Sequence, residues 1–239
     1  MYNTHENLWR QGEIKVVEND GEKYAIPAWD VFSHPHQFST YKPVISEILK
    51  HCNNKRVVFQ AGGNIGIYTK EYSNFFDTVY TAEPDSTNFK CLSINCIDNL
   101  NIVKFQTCLG SDNSSTHMLN PFEIVDCGGI HVYTDEHKKR PDLCYKQSHH
   151  KIPIIKIDNL CIDNLDLIHL DIEGYELYAL QGAIETIKKY KPTIVLEICE
   201  HSSRFGYTED DLHGFLSELG YEYICTLSNN DKVFKFKVE

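Results

Sequence analysis

The sequence predicts a doubly wound α/β fold, in which parallel strands alternate with helices. A short apolar run, residues 57–59, precedes a glycine-rich turn and then a stretch with apolar residues at helical spacing. A second apolar run, residues 79–82, ends at Glu83, which lies 21 residues after Gly62 (83 − 62). Strand, glycine turn, helix, strand and acid in this order are typical of the nucleotide-binding half of such a fold.

The length of 239 residues indicates one domain with a modest extension. We expect residues 1–52 to form an N-terminal hairpin and helix, and residues 53–239 to form the core. The hydrophobic share of 41% and the charged share of 24% are ordinary for a globular protein that stays in solution.

The net charge and the cysteine content limit which partners and which cellular location are expected. A net charge of −11 argues against a nucleic-acid partner, because phosphate contacts need clustered Lys and Arg. No run approaches the roughly 18 apolar residues of a membrane span, and the start has no apolar signal core, so no membrane association is expected. Nine cysteines without a C-x-x-C pair predict reduced thiols and a cytoplasmic location.

The N-terminal part predicts a hairpin and a helix. Residues 14–27 alternate around Asn19-Asp20-Gly21, and Val44, Ile45, Ile48 and Leu49 share one helical face. Three residues between them either border the ligand or cap the core, with the cap favoured: Trp29, Phe32 and His36.

The remaining elements continue the alternation and end with two antiparallel strands. One helix is predicted around Leu177, Leu180, Ile184 and Ile187, whose spacing is helical. The other predicted elements are a helix at 86–96, strands at 102–109, 151–159, 165–170 and 193–199, a helix ending at Gly220, and strands at 221–227 and 232–238.

Residues 111–151 are the least regular segment, and we expect them to form a lid over the carboxyl ends of the strands. Their histidines lack the short fixed spacings of a metal site, so no metal is predicted.

The glycine register indicates the kind of nucleotide. Asn64 and Ile67 stand where a dinucleotide G-x-G-x-x-G motif needs glycine, and no P-loop motif is present. The turn Gly62-Gly63-Asn64-Ile65-Gly66 also lacks a basic residue for phosphates. A phosphate-free nucleoside such as S-adenosylmethionine suits this turn. A tight turn without a ligand is the alternative for the glycines alone, and the position of Glu83 favours the ligand site.

The predicted topology also places two aspartates where a ligand can bind. Asp112, just after the third strand, either reads the adenine amine or belongs to a simple polar turn. Asp171 follows the strand after the crossover, where ligands of open α/β sheets bind.

Three motifs in order resemble the FkbM-type S-adenosylmethionine-dependent methyltransferases. They are Gln60-Ala61-Gly62-Gly63-Asn64-Ile65-Gly66, Glu83-Pro84-Asp85-Ser86-Thr87-Asn88, and His169-Leu170-Asp171-Ile172-Glu173-Gly174-Tyr175-Glu176. The resemblance implies a Rossmann-like class I methyltransferase fold, with a mostly parallel seven-stranded sheet and a C-terminal antiparallel hairpin. Two departures stand out, since Gln60 replaces the usual acid and His169 replaces a lysine.

The resemblance and the topology together assign roles to residues. We expect Asp171, His169 and His201 to be catalytic and Glu173 and Glu197 to contact the substrate, whereas Glu176 is mainly a structural acid. The predicted cofactor-binding residues are Gln60, Gly62, Gly63, Asn64, Gly66, Glu83, Pro84, Asp112 and Asp171.

The leading functional hypothesis is an O-methyltransferase that uses S-adenosylmethionine, releases S-adenosylhomocysteine and methylates a hydroxyl of a saccharide or small natural product. A non-catalytic or degenerate nucleoside-binding module is the alternative, with Gln60 as a sign of decay. A nicotinamide oxidoreductase is disfavoured by the glycine register. Monomer and homodimer both stay open.

Overall fold

The computed structural model describes residues 12–19, 21–31, 35–121, 126–139, 145–148, 150–198 and 200–237. The helices are α1 (Pro35–Leu49), α2 (Ile67–Tyr72), α3 (Ser86–Asn95), α4 (Glu176–Gln181), α5 (Ile184–Tyr190) and α6 (Glu209–Glu218). The strands are β1 (Ile14–Asn19), β2 (Glu22–Pro27), β3 (Val57–Ala61), β4 (Thr78–Ala82), β5 (Ile102–Phe105), β6 (Cys108–Leu109), β7 (Ser114–Thr116), β8 (Met118–Pro121), β9 (His131–Val132), β10 (Tyr145–Gln147), β11 (Ile152–Ile155), β12 (Leu165–Leu170), β13 (Thr193–Leu196), β14 (Tyr221–Thr226) and β15 (Lys232–Phe236).

The central sheet has seven strands in the order β14-β15-β13-β12-β3-β4-β5. Strands β5, β4, β3, β12 and β13 pair in parallel, whereas β15 is antiparallel to both of its neighbours. The carboxyl ends of the five parallel strands therefore share one edge of the sheet, and β15 begins at that same edge.

Both faces of the sheet are covered, as an apolar parallel sheet requires. All five residues of β3 are buried, and alternate side chains point to opposite faces. Val58 packs with α1 residues Val44, Ile45 and Ile48, as the predicted apolar face of that helix implies. Phe59 lies in the other cluster, which includes apolar residues of α4, α5 and α6.

The predicted third strand over 102–109 is wrong in its second half. Strand β5 ends at Phe105, and β6 leaves the central sheet to pair with β11. The Thr107 hydroxyl between them donates to the carbonyl of Pro153 at 2.8 Å, which holds the chain against β11. The short β6 therefore belongs to a small sheet with β11 and β7.

Two other predicted elements are shorter than expected, and the contacts of Asp158 account for the second. The strand predicted over 151–159 is limited to β11 and is followed by a 3-10 turn, Ile157–Leu160. The helix predicted from Leu177 to Ile187 is divided into α4 and α5. The Asp158 carboxylate accepts hydrogen bonds from the backbone N–H groups of Glu185 (3.2 Å) and Thr186 (2.9 Å), which starts α5 as a new helix.

The predicted lid segment contains short strands. Strands β8, β9 and β10 form a three-stranded antiparallel sheet, and β7 pairs with β11. That residues 111–151 act as a lid over the site stays a prediction. Trp29 packs against the apolar clusters, which agrees with a cap, whereas Phe32 and the side chain of His36 lie outside the described part of the chain.

Within the described ranges, no helix has the length and apolar character needed to cross a membrane. The cysteines in those ranges are free thiols. Cys199, at the end of the predicted strand 193–199, lies outside the described residues.

Asn95 of α3 joins the N-terminal hairpin to the core. Its side-chain nitrogen donates to the carbonyls of Ala25 (2.9 Å) and Ile65 (2.7 Å), and its oxygen accepts from the Ala25 N–H (2.7 Å). One amide group therefore satisfies three backbone groups of two separate segments.

We predict that Asn95→Ala lowers the free energy of unfolding by about 1–3 kcal/mol, because these backbone groups lose their partner. Urea unfolding measures the change. Asn74→Ala is the control, since Asn74 is exposed and its side chain makes one long contact of 3.5 Å to Glu71. Equal stability of the two variants would contradict the role given to Asn95.

Candidate functional site

A cavity of about 810 Å³ opens at the carboxyl edge of the parallel strands. Its volume lies within the usual range for small-molecule sites, roughly 300–1,000 Å³. The lining comes from the ends of β3, β4 and β12, from α1 and α2, from segments 107–109 and 126–132, and from the turn before β15. This edge is where ligands of open α/β sheets bind.

The glycine turn forms one wall and depends on a close backbone approach. The N–H groups of Gly62 and Gly63 both donate to the carbonyl of Ala82, at 3.1 and 3.0 Å. Gly62 has φ +78°, and a Cβ there would lie 1.7 Å from the carbonyl oxygen of Asp171. Only glycine therefore fits between β4 and the end of β12.

Glu83 lies at the end of β4 and lines the cavity while being 5% exposed. Its two carboxyl oxygens each accept one backbone N–H at 2.7 Å, from Asn64 and from Asp85. Burial, and then the charge of Asp85, raises the pKa of Glu83 to about 8. The Asn88 side chain also hydrogen-bonds to this carboxyl group, whose remaining lone pair is available to a ligand in the cavity.

Three acidic residues meet at the other side of the cavity: Asp171 after β12, Glu173 in the following turn, and Glu197 after β13. Burial, and then the charge of Glu197, raises the pKa of Asp171 well above its usual range. Burial also raises the pKa of Glu197, which shares a hydrogen bond with Asp171. Both carboxyl groups therefore hold a proton to higher pH than a free carboxyl group does.

These carboxyl groups are also close enough to hold a cation. One oxygen from each of Asp171, Glu173 and Glu197 lies within 4.8 Å of the others, and Asp30, Asp126 and Cys127 form a second such group. Oxygen-rich sets of this kind suit hard divalent cations. The expectation of no metal stays a prediction.

Glu176 has the structural role that its position predicts. It is 2% exposed, and one oxygen accepts the N–H groups of Ile172 and Gly174, both at 3.1 Å. The other oxygen accepts from the Tyr207 hydroxyl at 3.2 Å. The carboxyl group therefore fixes the turn that carries Glu173 into the cavity.

Three predicted cofactor residues do not line the cavity, which corrects their assignment. Gln60 is fully buried: its nitrogen donates to the Ala61 and Gly62 carbonyls, and its oxygen accepts from two threonine hydroxyls. Gly66 starts α2 and packs on α3. Asp112 is exposed and accepts from the Ser114 hydroxyl, which agrees with the polar-turn interpretation.

Neither histidine proposed as a base is among the cavity-lining residues. His169 is 0% exposed and lies between the Tyr72 hydroxyl (2.9 Å) and the Asp231 carboxyl group (3.3 Å). His201 pairs with Glu173 at 2.9 Å. Both imidazoles therefore contact acidic cavity residues and lie behind them, because β12 turns the His169 side chain into the core.

Sequence reasoning missed several cavity residues. Tyr41 of α1 and Tyr68 of α2 both line it, with their rings edge to face at 4.8 Å. Asn229 and Asp231 enter from the turn before β15. The predicted C-terminal hairpin located this turn, but it did not show that β15 pairs with β13 and so begins at the edge where the parallel strands end.

We predict opposite effects for two glycine substitutions. Gly62→Ala lowers the free energy of unfolding by at least about 2 kcal/mol, because of the positive φ and the clash with Asp171. Gly214→Ala, in α6 with open space around its Cβ position, raises it by up to about 1 kcal/mol. Thermal and urea unfolding distinguish the two, and a Gly62→Ala protein as stable as wild type would contradict the close approach.

Comparison with known proteins adds to this geometry. Residues 60–223 match the model of the methyltransferase FkbM domain family. No curated protein matches the chain.

Among solved structures, the chain is similar to a methyltransferase FkbM from Methylobacillus flagellatus KT, with a TM-score of 0.51 and 19% identity. The match covers 77% of this chain and 44% of that protein, so this chain spans less than half of its length. A ribosomal protein L11 methylase from Lactobacillus delbrueckii subsp. bulgaricus gives a TM-score of 0.50 and 10% identity, covering 89% and 84% of the two chains. These likenesses confirm the predicted class of fold.

The family match spans more than half of the chain and includes the glycine turn, Glu83 and the acidic turn after β12. The family predicted from the three motifs is confirmed. The chain belongs to the methyltransferase FkbM domain family.

Proposed function

We propose that this protein is an S-adenosylmethionine-dependent O-methyltransferase that methylates a hydroxyl group of a saccharide or another small natural product. The observation that carries the proposal is one cavity lined by both the Gly62–Asn64 turn with Glu83 and the acidic group at Asp171. The first set suits a nucleoside, and the second suits a hydroxyl-bearing acceptor. Membership of a methyltransferase family supports the reaction type.

The Gly62–Asn64 turn and Glu83 fit a nucleoside. Glu83 lines the cavity with a carboxyl group that can accept hydrogen bonds beyond those from the backbone, which suits the hydroxyls of a ribose. The described residues that line the cavity include no lysine or arginine, so nothing there is suited to a phosphate. This donor and acceptor set favours S-adenosylmethionine over a dinucleotide.

The residues proposed to hold S-adenosylmethionine are the Gly62–Asn64 turn, Glu83, Pro84 and the backbone end of β12 at Asp171. Bound there, the cofactor supplies an electrophilic methyl group. The chain itself contributes proximity and orientation, which account for much of the rate of such a transfer. Apolar side chains that line the cavity, including Leu109, Met118 and Ile130, are proposed to shield the bound cofactor from water.

The acceptor side of the cavity favours a polyhydroxylated molecule without phosphate. Asp171, Glu173 and Glu197 present hydrogen-bond acceptors, and the rings of Tyr41 and Tyr68 present apolar surface. Hydroxyl groups donate to carboxylates, whereas an anionic acceptor would meet like charges at close range. Asp171 and Glu173 are proposed to orient the acceptor.

We predict that calorimetry detects S-adenosylhomocysteine binding and that Glu83→Ala weakens it at least about a hundredfold. Two hydrogen bonds to a charged group are lost, each worth roughly 1.5–3 kcal/mol. Glu218→Ala is the control, since Glu218 is exposed on α6. A wild-type protein that folds but does not bind the ligand would contradict the proposal and favour the non-catalytic module.

We also predict that this affinity increases as the pH rises to about 8. Ribose hydroxyls favour the ionised carboxylate, and the raised pKa of Glu83, about 8, leaves it protonated at lower pH. The dissociation constant is expected to fall by up to about tenfold per pH unit below the pKa and to level off above it. Calorimetry with Glu83→Gln tests the assignment, because that variant is expected to lose the slope. The same slope in Glu83→Gln would assign the effect to another group.

A further inference from the structure

We propose that Asp231 is the general base of the reaction and that His169 and Tyr72 are its positioning residues. The inference rests on the proposed methyl transfer. The role of base, which the sequence suggested for His169, is assigned instead to Asp231, the carboxyl group that His169 contacts. Asp231 lies beyond the segment that matches the family, which ends at residue 223.

The topology places Asp231 at the site. It directly precedes β15, which runs antiparallel to β13 and therefore begins at the carboxyl edge of the parallel strands. The turn before it is closed by hydrogen bonds from the Leu227 N–H to the Asp231 carbonyl (2.8 Å) and from the Asp231 N–H to the Asn229 side chain (3.3 Å). The residue is 3% exposed and lines the cavity.

The Asp231 carboxyl group is held from behind. Its Oδ2 accepts a hydrogen bond from Nε2 of His169 at 3.3 Å. Nδ1 of His169 lies 2.9 Å from the Tyr72 hydroxyl, which can donate to it when Nε2 carries the ring proton. This tautomer satisfies both contacts. His169 and Tyr72 are both 0% exposed, so the chain of groups is rigidly packed.

The second carboxyl oxygen of Asp231, Oδ1, makes no hydrogen bond with a side chain or backbone group in the described ranges. The other acidic residues of this side are engaged. Asp171 and Glu197 hydrogen-bond to each other, and Glu173 pairs with His201 through one oxygen. Glu173 likewise leaves one oxygen open beside a histidine, but only Asp231 has a histidine that is fully buried and held in turn by the Tyr72 hydroxyl.

The step is balanced. The O–H bond of the acceptor breaks and its proton passes to Oδ1 of Asp231, while the electron pair of the oxygen forms the bond to the methyl carbon. The carbon–sulfur bond breaks, and its electron pair stays on sulfur as the neutral thioether of S-adenosylhomocysteine. Water then takes the proton from Asp231. A hydroxyl is a poor nucleophile, so a base at hydrogen-bond reach contributes roughly 10²–10⁴-fold to the rate.

The first test needs no acceptor. In the full-length chain with S-adenosylhomocysteine bound, the Nε2–H signal of His169 is followed by NMR in ¹⁵N-histidine-labelled protein. Asp231→Asn and Asp231→Ala are expected to move this signal upfield, while calorimetry shows unchanged S-adenosylhomocysteine affinity. Asp98→Asn, an exposed carboxyl on the surface, is expected to leave the signal in place. A His169 signal that ignores both Asp231 variants overturns the proposal.

The second test uses S-adenosylmethionine with a panel of methyl glycosides and measures release of S-adenosylhomocysteine. Asp231→Asn is expected to lower kcat by roughly 10²–10⁴-fold, with KM little changed. Retention of more than about a tenth of the wild-type kcat overturns the proposal, since that loss is below the range for a general base. If wild type binds S-adenosylhomocysteine but no glycoside reacts, a base for a saccharide hydroxyl is contradicted, and the NMR result then reports only whether His169 holds Asp231. Absence of S-adenosylhomocysteine binding instead contradicts the proposed function, and it does so without reference to Asp231.

Discussion

The contact between the turn after β3 and the end of β12 is the constraint on which the site depends. The N–H of Asp171 donates to the Ala61 carbonyl at 3.1 Å, and Gly62 lies directly against the Asp171 carbonyl. Because a side chain at Gly62 would clash with this carbonyl, the turn after β3 can lie against the end of β12 only with glycine there. This meeting brings the nucleoside wall and the acidic wall into one cavity.

The cavity concentrates carboxyl groups in a poorly solvated volume, and this has an energetic cost. Burial raises the pKa of Glu83 to about 8 and that of Glu176 to about 7, and it raises that of Asp171 further above its usual range. A carboxyl group whose pKa is raised on folding binds more protons in the folded state. Its contribution to stability is therefore lost as the pH rises through the folded pKa, and the site opposes the fold at neutral pH. Such opposition is typical of functional sites.

The local elements near the glycine turn were predictable because their signals are local. The apolar run at 57–59, the helical spacing after Ile67 and the acid at Glu83 each follow from neighbouring residues. The points at which the chain leaves a strand or a helix were not predictable. Strand β6 leaves the sheet because Thr107 binds Pro153, and α5 begins where it does because Asp158 reaches Glu185 and Thr186. Both contacts join residues far apart in sequence.

The residues of the candidate site also fall into those that local signals predict and those that they do not. Glu83, Asp171, Glu173 and Glu197 line the cavity because a strand end fixes their position. Gln60 and His169 occupy strands too, but the alternation of side chains turns them inward, where hydrogen-bond partners from other elements hold them. Asp231 was missed because its place depends on the pairing of β15 with β13, which a hairpin signal does not specify.

A crystal structure of the full-length chain with S-adenosylhomocysteine tests the central claim most directly, namely that one cavity holds both the nucleoside and the transfer site. We predict the ribose hydroxyls within hydrogen-bond distance of the Glu83 carboxylate and the sulfur facing the side of the cavity formed by Asp171, Glu197 and Asp231. A nucleoside bound away from Glu83, or a sulfur facing away from these acids, would contradict it.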